Sequence, residues 1–225
     1  MEIQPIAHIR TDLPTKFGLP RQSGLVAGLT ARIEFEPLYR DPSAFRGLEG
    51  FSHLWLIWGF SANRRTGWAA TVKPPRLGGN RRMGVFATRS PYRPNALGLS
   101  SVRLEELRFD EKRGPVLTVS GADLMDGTPI YDIKPYLPYT DSHPEAQGGF
   151  AEEFVDYALQ VEFPERWLAM IPQEKRPALF GLLAQDPRPS YQEDPERRYG
   201  FYYLDMDVRF TVADGVLTVV EIVKR

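Results

Sequence analysis

The sequence predicts a mainly β protein, a barrel or a sandwich, with a smaller α+β region at the C-terminal end. Proline accounts for 20 of the 225 residues, which disfavours long helices in the first two-thirds of the chain. Apolar residues alternate with polar ones in short runs, and turns rich in glycine and proline separate these runs. Short strands punctuated in this way are typical of all-β architectures.

The first two-thirds of the chain contains seven candidate strands. Alternation over residues 3–9 and 29–35 predicts half-buried strands, and the run 54–58, apolar on both faces, predicts a central strand. The other candidates lie at residues 83–88, 97–104, 116–121 and 130–133. Asp41 followed by Pro42 predicts a helical turn over 41–48 with Asp41 as its N-cap.

The texture of the sequence changes after about residue 140. Residues 141–149 are polar and predict a linker. Two helical segments are expected at 164–176 and 177–184, each opened by a proline, and two strand-like runs at 199–211 and 216–223. Asp214-Gly215 is a good hairpin turn between these runs. We therefore expect a barrel before this linker and a smaller α+β domain after it.

Several classes of chemistry are disfavoured by what the sequence lacks. There is no cysteine, the three histidines are far apart, and no phosphate-binding glycine loop or Gly-x-Ser-x-Gly motif occurs. A reaction here should need neither a metal nor a covalent nucleophile. The longest apolar run, 54–60, is too short for a membrane helix, and residues 1–4 do not resemble a signal peptide. These features predict a cytoplasmic protein that does not enter a membrane.

Charge is distributed unevenly although the net charge is only −1. Between Glu49 and Glu105 there are 55 residues without an Asp or Glu, and this acid-free window holds nine basic residues, eight of them arginine. Arginine suits phosphate and carboxylate because its planar fork donates two parallel hydrogen bonds. The window therefore indicates a polyanion-binding surface. The alternative is a solvated face neutralised by acidic groups from elsewhere in the fold.

Four unusual polar segments lie at residues 16–22, 74–95, 123–136 and 186–191. Each contains proline or glycine together with Arg, Gln, Asn or Asp. They are either rigid turns or a preorganised binding site, because stiff loops lose less entropy when a ligand binds. Local composition does not separate these two interpretations.

Nine short strings in and around these segments stand in the order found in one protein family. They are Pro-Arg-Gln (20–22), Phe-Ser-His-Leu-Trp (51–55), Pro-Pro-Arg-Leu-Gly-Gly-Asn (74–80), Gly-Val-Phe-Ala-Thr-Arg-Ser (84–90), Arg-Pro-Asn (93–95), Leu-Gly-Leu-Ser (97–100), Asp-Gly-Thr-Pro (126–129), Asp-Ile-Lys-Pro-Tyr (132–136) and Asp-Pro-Arg-Pro-Ser-Tyr (186–191). In these strings the chain resembles the TsaA-like (TrmO) family of tRNA methyltransferases. One departure is Ala96, where relatives often have proline; it removes no functional group.

The resemblance implies a TsaA-like β-barrel methyltransferase domain over 3–147, which uses S-adenosyl-L-methionine, followed by a small C-terminal α+β domain over 148–225. The implied substrate is N6 of N6-threonylcarbamoyladenosine at position 37, next to the anticodon of a tRNA. It also implies a homodimer with cofactor sites near the subunit interface. The cofactor contacts carried over by position are Pro20, Arg21, Gln22, His53, Leu54, Arg89, Leu99, Asp126, Gly127, Thr128 and Pro129.

Roles for some of these residues follow from their chemistry. Methyl transfer from a sulfonium needs mainly the alignment of two reactants, so it suits a chain without metal ligands or a catalytic triad. Asp126 suits the cationic parts of the cofactor, and Arg89 or Arg21 suits its carboxylate. Asp126 and Tyr191 are the candidates for accepting the N6 proton, although Tyr191 is as well explained by packing. His53 has a similar alternative as a structural residue.

Contacts with tRNA are expected from the acid-free window and from later segments. The candidate residues are Arg76, Arg81, Arg82, Tyr92, Arg93, Lys134 and Arg188. Arginines would hold phosphates or the threonine carboxylate, while Tyr92 or Tyr136 would stack on an unstacked base. Three alternatives remain: a methyltransferase of the same fold acting on another nucleophile, a non-catalytic RNA-binding barrel, and a structural protein whose basic stripe faces its dimer partner.

Overall fold

A computed structural model describes residues 2–62, 67–74, 77, 81–188 and 194–225. The strands of the first part are β1 (Ala7–Arg10), β2 (Thr30–Phe35), β3 (His53–Gly59), β4 (Thr71–Val72), β5 (Met83–Gly84), β6 (Leu97–Asp110), β7 (Gly114–Ser120) and β8 (Pro129–Pro135). Six of them close into an antiparallel barrel in the order β1-β2-β7-β6-β3-β8, while β4 and β5 form a separate ribbon. The mainly β prediction is confirmed, and of its two forms the chain adopts the barrel.

The barrel interior is filled by alternate side chains, as the period of a strand requires. Ala31, Ile33 and Phe35 of β2 point inward, and Leu54 and Leu56 of β3 do the same. The second face of β3 is only half-buried, so this strand is not covered on both sides as expected. Its outer face carries Trp55, whose ring lies 5.5 Å from the ring of Tyr136.

The C-terminal part combines a four-stranded sheet with short helices. Its elements are β9 (Gln160–Glu162), β10 (Tyr199–Tyr203), β11 (Met206–Ala213) and β12 (Val216–Lys224), with α1 (Pro138–Asp141) in the preceding connection and α2 (Glu165–Leu168) and α3 (Arg176–Ala184) packed alongside. The sheet order is β10-β11-β12-β9, with β9 parallel to β12. This is the smaller α+β region that the sequence predicts.

The long loop between β1 and β2 is anchored on this C-terminal sheet. Leu13, Val26 and Leu29 belong to the same buried cluster as Phe201 and Phe210. The loop backbone accepts a hydrogen bond at Asp12 from the amide of Leu204 (2.8 Å), and the Asp12 carboxylate pairs with Lys175 (2.5 Å). Residues 11–29 are therefore positioned by contacts distant in sequence. The domain boundary after residue 147 stays a prediction.

Several predicted elements differ in extent from the structure. The strand expected at 83–88 ends after Gly84 because residues Val85–Ala87 form a 3-10 turn. The run 199–211 is split by a hairpin in which Leu204 takes a positive φ of 56°. The helix expected at 164–176 is reduced to α2 and a 3-10 turn at Gln173–Lys175, and β9 was not predicted. The N-cap is confirmed: the Asp41 carboxylate accepts a hydrogen bond from the Ser43 amide (2.8 Å).

Within the described ranges, no helix is both long and apolar enough to cross a membrane.

Candidate active site

A cavity of about 450 Å³ lies at one end of the barrel. Because neighbouring strands are antiparallel, β3 ends at the same rim where β6 begins, and the β1–β2 and β7–β8 loops emerge there. Four segments supply most of the lining: Leu19 to Gln22, Trp58 to Ala62, Leu97 to Leu99 and Asp123 to Met125. Thr88, Arg89 and Arg93 close another side. The volume and the mixture of apolar and charged walls are typical of a small-molecule site.

A chain of three hydrogen-bonded side chains crosses one wall of the cavity. The indole Nε1 of Trp58 donates to Ser100 Oγ (2.9 Å), and this hydroxyl donates to Asp123 Oδ1 (2.6 Å). Trp58 and Ser100 are buried, at 8% and 1% exposure. Burial raises the pKa of the Asp123 carboxyl, although the Ser100 hydroxyl, nearby backbone amides and Arg89 act in the opposite direction. The wall thus fixes one carboxylate in a weakly solvated position.

Gly98 makes room for the indole of Trp58. The two residues are directly opposite each other in β6 and β3. A Cβ placed on Gly98 would lie 2.2 Å from Cε2 of the ring, far inside van der Waals contact. The Leu-Gly-Leu-Ser string is explained by this geometry: its glycine seats the ring, its serine holds the indole nitrogen, and Leu97 and Leu99 are exposed at the cavity.

Three arginines line the cavity and differ in how they are held. Arg89 donates through Nη1 to the side-chain oxygen of Gln22. Arg93 donates to the backbone oxygens of Val85 (3.3 Å) and Thr88 (2.5 Å), so it stiffens the turn that carries Arg89. Arg21 donates through Nη2 to the backbone oxygen of a residue in the C-terminal part (2.9 Å). The cavity is therefore cationic on the side formed by these loops.

The residue that Arg21 contacts is Asp186, which has an unusual backbone, with a φ of 52°. The carboxylate of Asp186 accepts two hydrogen bonds from the Arg188 guanidinium (2.8 and 3.0 Å), one from the Arg188 amide (3.3 Å) and one from the Tyr157 hydroxyl (2.7 Å). Burial opposes ionisation of Asp186, but these donors outweigh it and lower its pKa. A charged, hydrogen-bonded cluster thus holds in place the Asp186 carbonyl to which Arg21 donates.

The structure brings about half of the expected cofactor residues to the cavity. Those that line it are Pro20, Arg21, Gln22, Arg89, Leu99 and Thr128. The other five, His53, Leu54, Asp126, Gly127 and Pro129, are described but are not among its lining residues.

Several residues outside the cavity have clear structural contacts. Leu54 is fully buried in the barrel core, and the His53 ring contacts the Ser52 hydroxyl (2.9 Å). Asp126 accepts a hydrogen bond from the Thr11 amide (3.0 Å), and the Gly127 amide donates to the carbonyl of Ile9 (2.9 Å). These contacts hold the start of the β1–β2 loop against the β7–β8 loop.

The residues expected to touch tRNA are dispersed. Arg81 and Arg82 are exposed, and Arg82 donates to the Thr71 hydroxyl (2.7 Å). Lys134 is exposed and pairs with Asp132 (2.9 Å), whereas Arg188 is largely buried in its pair with Asp186. Tyr92 is half-buried, and Arg93 lines the cavity. Arg76 and Tyr191 lie outside the described residues.

Sequence reasoning did not single out Asp123 or Ser100 as site residues. Asp123 belongs to the segment 123–136, but the pattern gave no reason to prefer it over Asp126, three positions later. The available signal was the position of Ser100 in a strand of alternating burial, where an inward-facing hydroxyl needs a hydrogen-bond partner. In the part of the chain that the structure describes, no group of three or more His, Asp or Glu residues could hold a metal ion.

Comparison with known proteins gives one consistent result. The family model described as the tRNA-methyltransferase O N-terminal domain matches residues 8–142, and that described as the TrmO C-terminal domain matches residues 156–225. The tRNA (adenine(37)-N6)-methyltransferase of Escherichia coli (strain K12) is 41% identical over 222 residues, which covers 95% of this chain and 94% of that protein. The enzyme of the same name from Eikenella corrodens is 46% identical over 167 residues, or 74% of this chain and 93% of that protein.

A solved structure has the same fold over the whole chain. The crystal structure of TrmO from Pseudomonas aeruginosa superposes with a TM-score of 0.78 at 34% sequence identity. The match covers 99% of this chain and 98% of that one.

Proposed function

The chain belongs to the TrmO family, and from that premise we propose that it is an S-adenosyl-L-methionine-dependent tRNA methyltransferase acting on N6 of N6-threonylcarbamoyladenosine at position 37. The observation that carries the proposal is the match with a tRNA (adenine(37)-N6)-methyltransferase over 95% of the chain. The cavity described above supplies a site of suitable size and chemistry.

The residues of the cavity fit the methyl donor. When bound, S-adenosyl-L-methionine supplies an electrophilic methyl group on a sulfonium, together with a carboxylate and an adenine. Arg89 and Arg21 line the cavity and are suited to a carboxylate, and the apolar side chains of Trp58, Phe60 and Leu99 are suited to pack against the adenine. We assign cofactor contacts to Pro20, Gln22 and Thr128 on the same basis. Asp126 supports the site by holding the β1–β2 loop.

The tRNA substrate accounts for the acid-free window. The exposed Arg81 and Arg82 are suited to phosphates, and Arg93, at the cavity wall, is suited to the threonine carboxylate. We further propose that the protein is a homodimer, supported by Leu97 and Leu99, which leave apolar surface exposed at the cavity mouth, at 37% and 54%. We also propose that it acts in the cytoplasm, which a tRNA substrate supports.

The reaction is tested with radiolabelled S-adenosyl-L-methionine and total tRNA from a strain that lacks this gene. A parallel sample uses tRNA that lacks the threonylcarbamoyl group. We expect label only in the first sample, recovered by mass spectrometry as N6-methylated threonylcarbamoyladenosine. Label in both samples would keep the enzyme class but reject the substrate, and label in neither would reject the proposed function.

Replacing Arg81 and Arg82 together by alanine should weaken tRNA binding and reduce its salt dependence. If both side chains contact phosphates, the slope of log Kd against log salt falls by about 1 for each of them. Binding is measured by filter retention between 50 and 300 mM salt, with calorimetry to show that cofactor affinity is unchanged. The control is Arg46→Ala with Arg108→Ala, which removes the same charge from exposed positions outside the window. An equal change of slope in both variants would mean that the effect is one of net charge only.

A further inference from the structure

One acidic side chain stands in the cavity. Among the described lining residues, Asp123 is the one that carries a carboxylate, and it shares the walls with Arg21, Arg89 and Arg93. The carboxylate is turned toward β6 by its hydrogen bond with Ser100. None of the nine family strings includes Asp123, so the role of this carboxylate is a separate question.

The direction of the hydrogen bonds fixes what Asp123 can do. An indole nitrogen can only donate, so the Ser100 hydroxyl must accept from Trp58 and use its own hydrogen to donate to Asp123 Oδ1. While Asp123 is ionised, its Oδ1 therefore accepts from Ser100, and Oδ2, which makes no hydrogen bond to Ser100, is the oxygen on which an incoming proton is proposed to sit. The hydrogen bond from Ser100 thus orients the carboxylate through Oδ1, as a positioned base requires.

The proposed substrate needs such a base. N6 of threonylcarbamoyladenosine is bonded both to the purine and to a carbonyl carbon, so its lone pair is delocalised and it is a poor nucleophile while it carries a proton. We infer that Asp123 accepts the N6 proton during methyl transfer, an assignment that rests on the proposed function. In this step the N6–H bond breaks and its proton passes to Asp123 Oδ2. The N6–CH3 bond forms, and the C–S bond breaks with its electron pair staying on sulfur, which becomes a neutral thioether.

The surroundings of Asp123 suit this role. Burial favours the neutral carboxyl and raises its pKa, whereas the Ser100 hydroxyl, the Ser23 backbone and the Arg89 charge favour the carboxylate. A carboxylate in a weakly solvated wall is a stronger base than one in water, and the charge of Arg89 opposes part of the rise in its pKa. Arg21 and Arg93 line the same cavity and add to the positive field.

The competing assignment for Asp123 is a contact with the cationic part of the cofactor. The two roles separate when binding and turnover are measured on Asp123→Asn, which keeps the shape and can still accept from Ser100. The base role predicts a fall in kcat of about 10²- to 10⁴-fold with calorimetric Kd values for S-adenosyl-L-methionine and its thioether product within about threefold of wild type. A large rise in Kd, with kcat preserved at saturation, would overturn it. The matched control is Asp110→Asn, because Asp110 lies at the end of β6 away from Ser100 and the cavity. It should leave kcat and the Kd values unaltered.

Ser100→Ala gives a second, graded test if the Asn variant is poorly folded. This change leaves the carboxylate in place but removes a hydrogen bond that lowers its pKa. In Ser100→Ala the pH at which kcat rises should therefore move upward, and kcat below that pH should be about tenfold lower than in the wild type. In Asp123→Asn the rise of kcat with pH should be absent. An unshifted pH profile in Ser100→Ala, or normal turnover in Asp123→Asn, would overturn the base assignment. A wild-type protein that methylates no tRNA would instead overturn the proposed function, and the base assignment with it.

Discussion

Gly98→Ala should destabilise the barrel by on the order of 3 kcal/mol and disrupt the cavity at the same time. The new Cβ would lie 2.2 Å from the Trp58 ring, and that ring cannot move freely. It is nearly buried, donates a hydrogen bond to Ser100, and packs at 4.4 Å between ring centroids against Phe60. Relief of the clash therefore requires either a shift of β6 relative to β3 or a new rotamer of Trp58 that breaks the hydrogen bond. The first change moves Ser100, which holds Asp123, and the second removes the donor that orients the Ser100 hydroxyl.

Urea unfolding followed by tryptophan fluorescence measures the loss of stability, and calorimetry measures cofactor binding in the folded variant. Gly50→Ala is the matched control because a Cβ at Gly50 meets nothing within 4 Å. We expect the control to change the free energy of unfolding by less than about 0.5 kcal/mol. If Gly98→Ala were as stable as the control and bound the cofactor normally, the indole would not be fixed as the structure indicates.

The barrel strands could be predicted from the sequence because their signal is local. Alternation in β2 and the apolar run of β3 each report which side chains face a core, and the structure places both strands within one or two residues of the predicted bounds. The strand predicted at 83–88 was wrong because a local pattern of burial there does not reflect a strand. Val85 is buried and Phe86 is exposed, an alternation that resembles a strand. The backbone turns there instead, and Arg93 holds the turn by donating to the backbone oxygens of Val85 and Thr88.

The site was predictable only as far as its segments. The loop 19–22 reaches the cavity because Leu13 and Leu29 pack into the C-terminal core, a contact that no local pattern contains. The choice between Asp123 and Asp126 has the same origin: three residues apart, they project toward Ser100 and Thr11 respectively. Arg188, taken from sequence as an RNA contact, is paired with a carboxylate two residues away. Pairing geometry of this kind is set by the fold rather than by composition.

Arg89→Ala should weaken binding of S-adenosyl-L-methionine by about 10- to 100-fold while tRNA affinity changes less than about threefold. Arg89 is exposed but lines the cavity, and its guanidinium is tied to Gln22, another lining residue, so we expect it to hold a carboxylate in the cavity. Calorimetry with the thioether product measures the first quantity and filter retention of tRNA the second. Arg89→Lys should recover part of the affinity, because it restores the charge but not the forked donor geometry.

The comparison of Arg89→Ala with the Arg81/Arg82 double alanine variant makes this result decisive. The first should affect the cofactor and spare tRNA, and the second should do the reverse, so a general loss of folding or of net charge cannot produce the pair. Equal loss of both affinities in Arg89→Ala would remove this arginine from the cofactor site. Arg89 also lowers the pKa of Asp123. In Arg89→Ala at saturating cofactor, the pH at which kcat rises should therefore move upward. This one measurement links the cationic wall of the cavity to the acidic one.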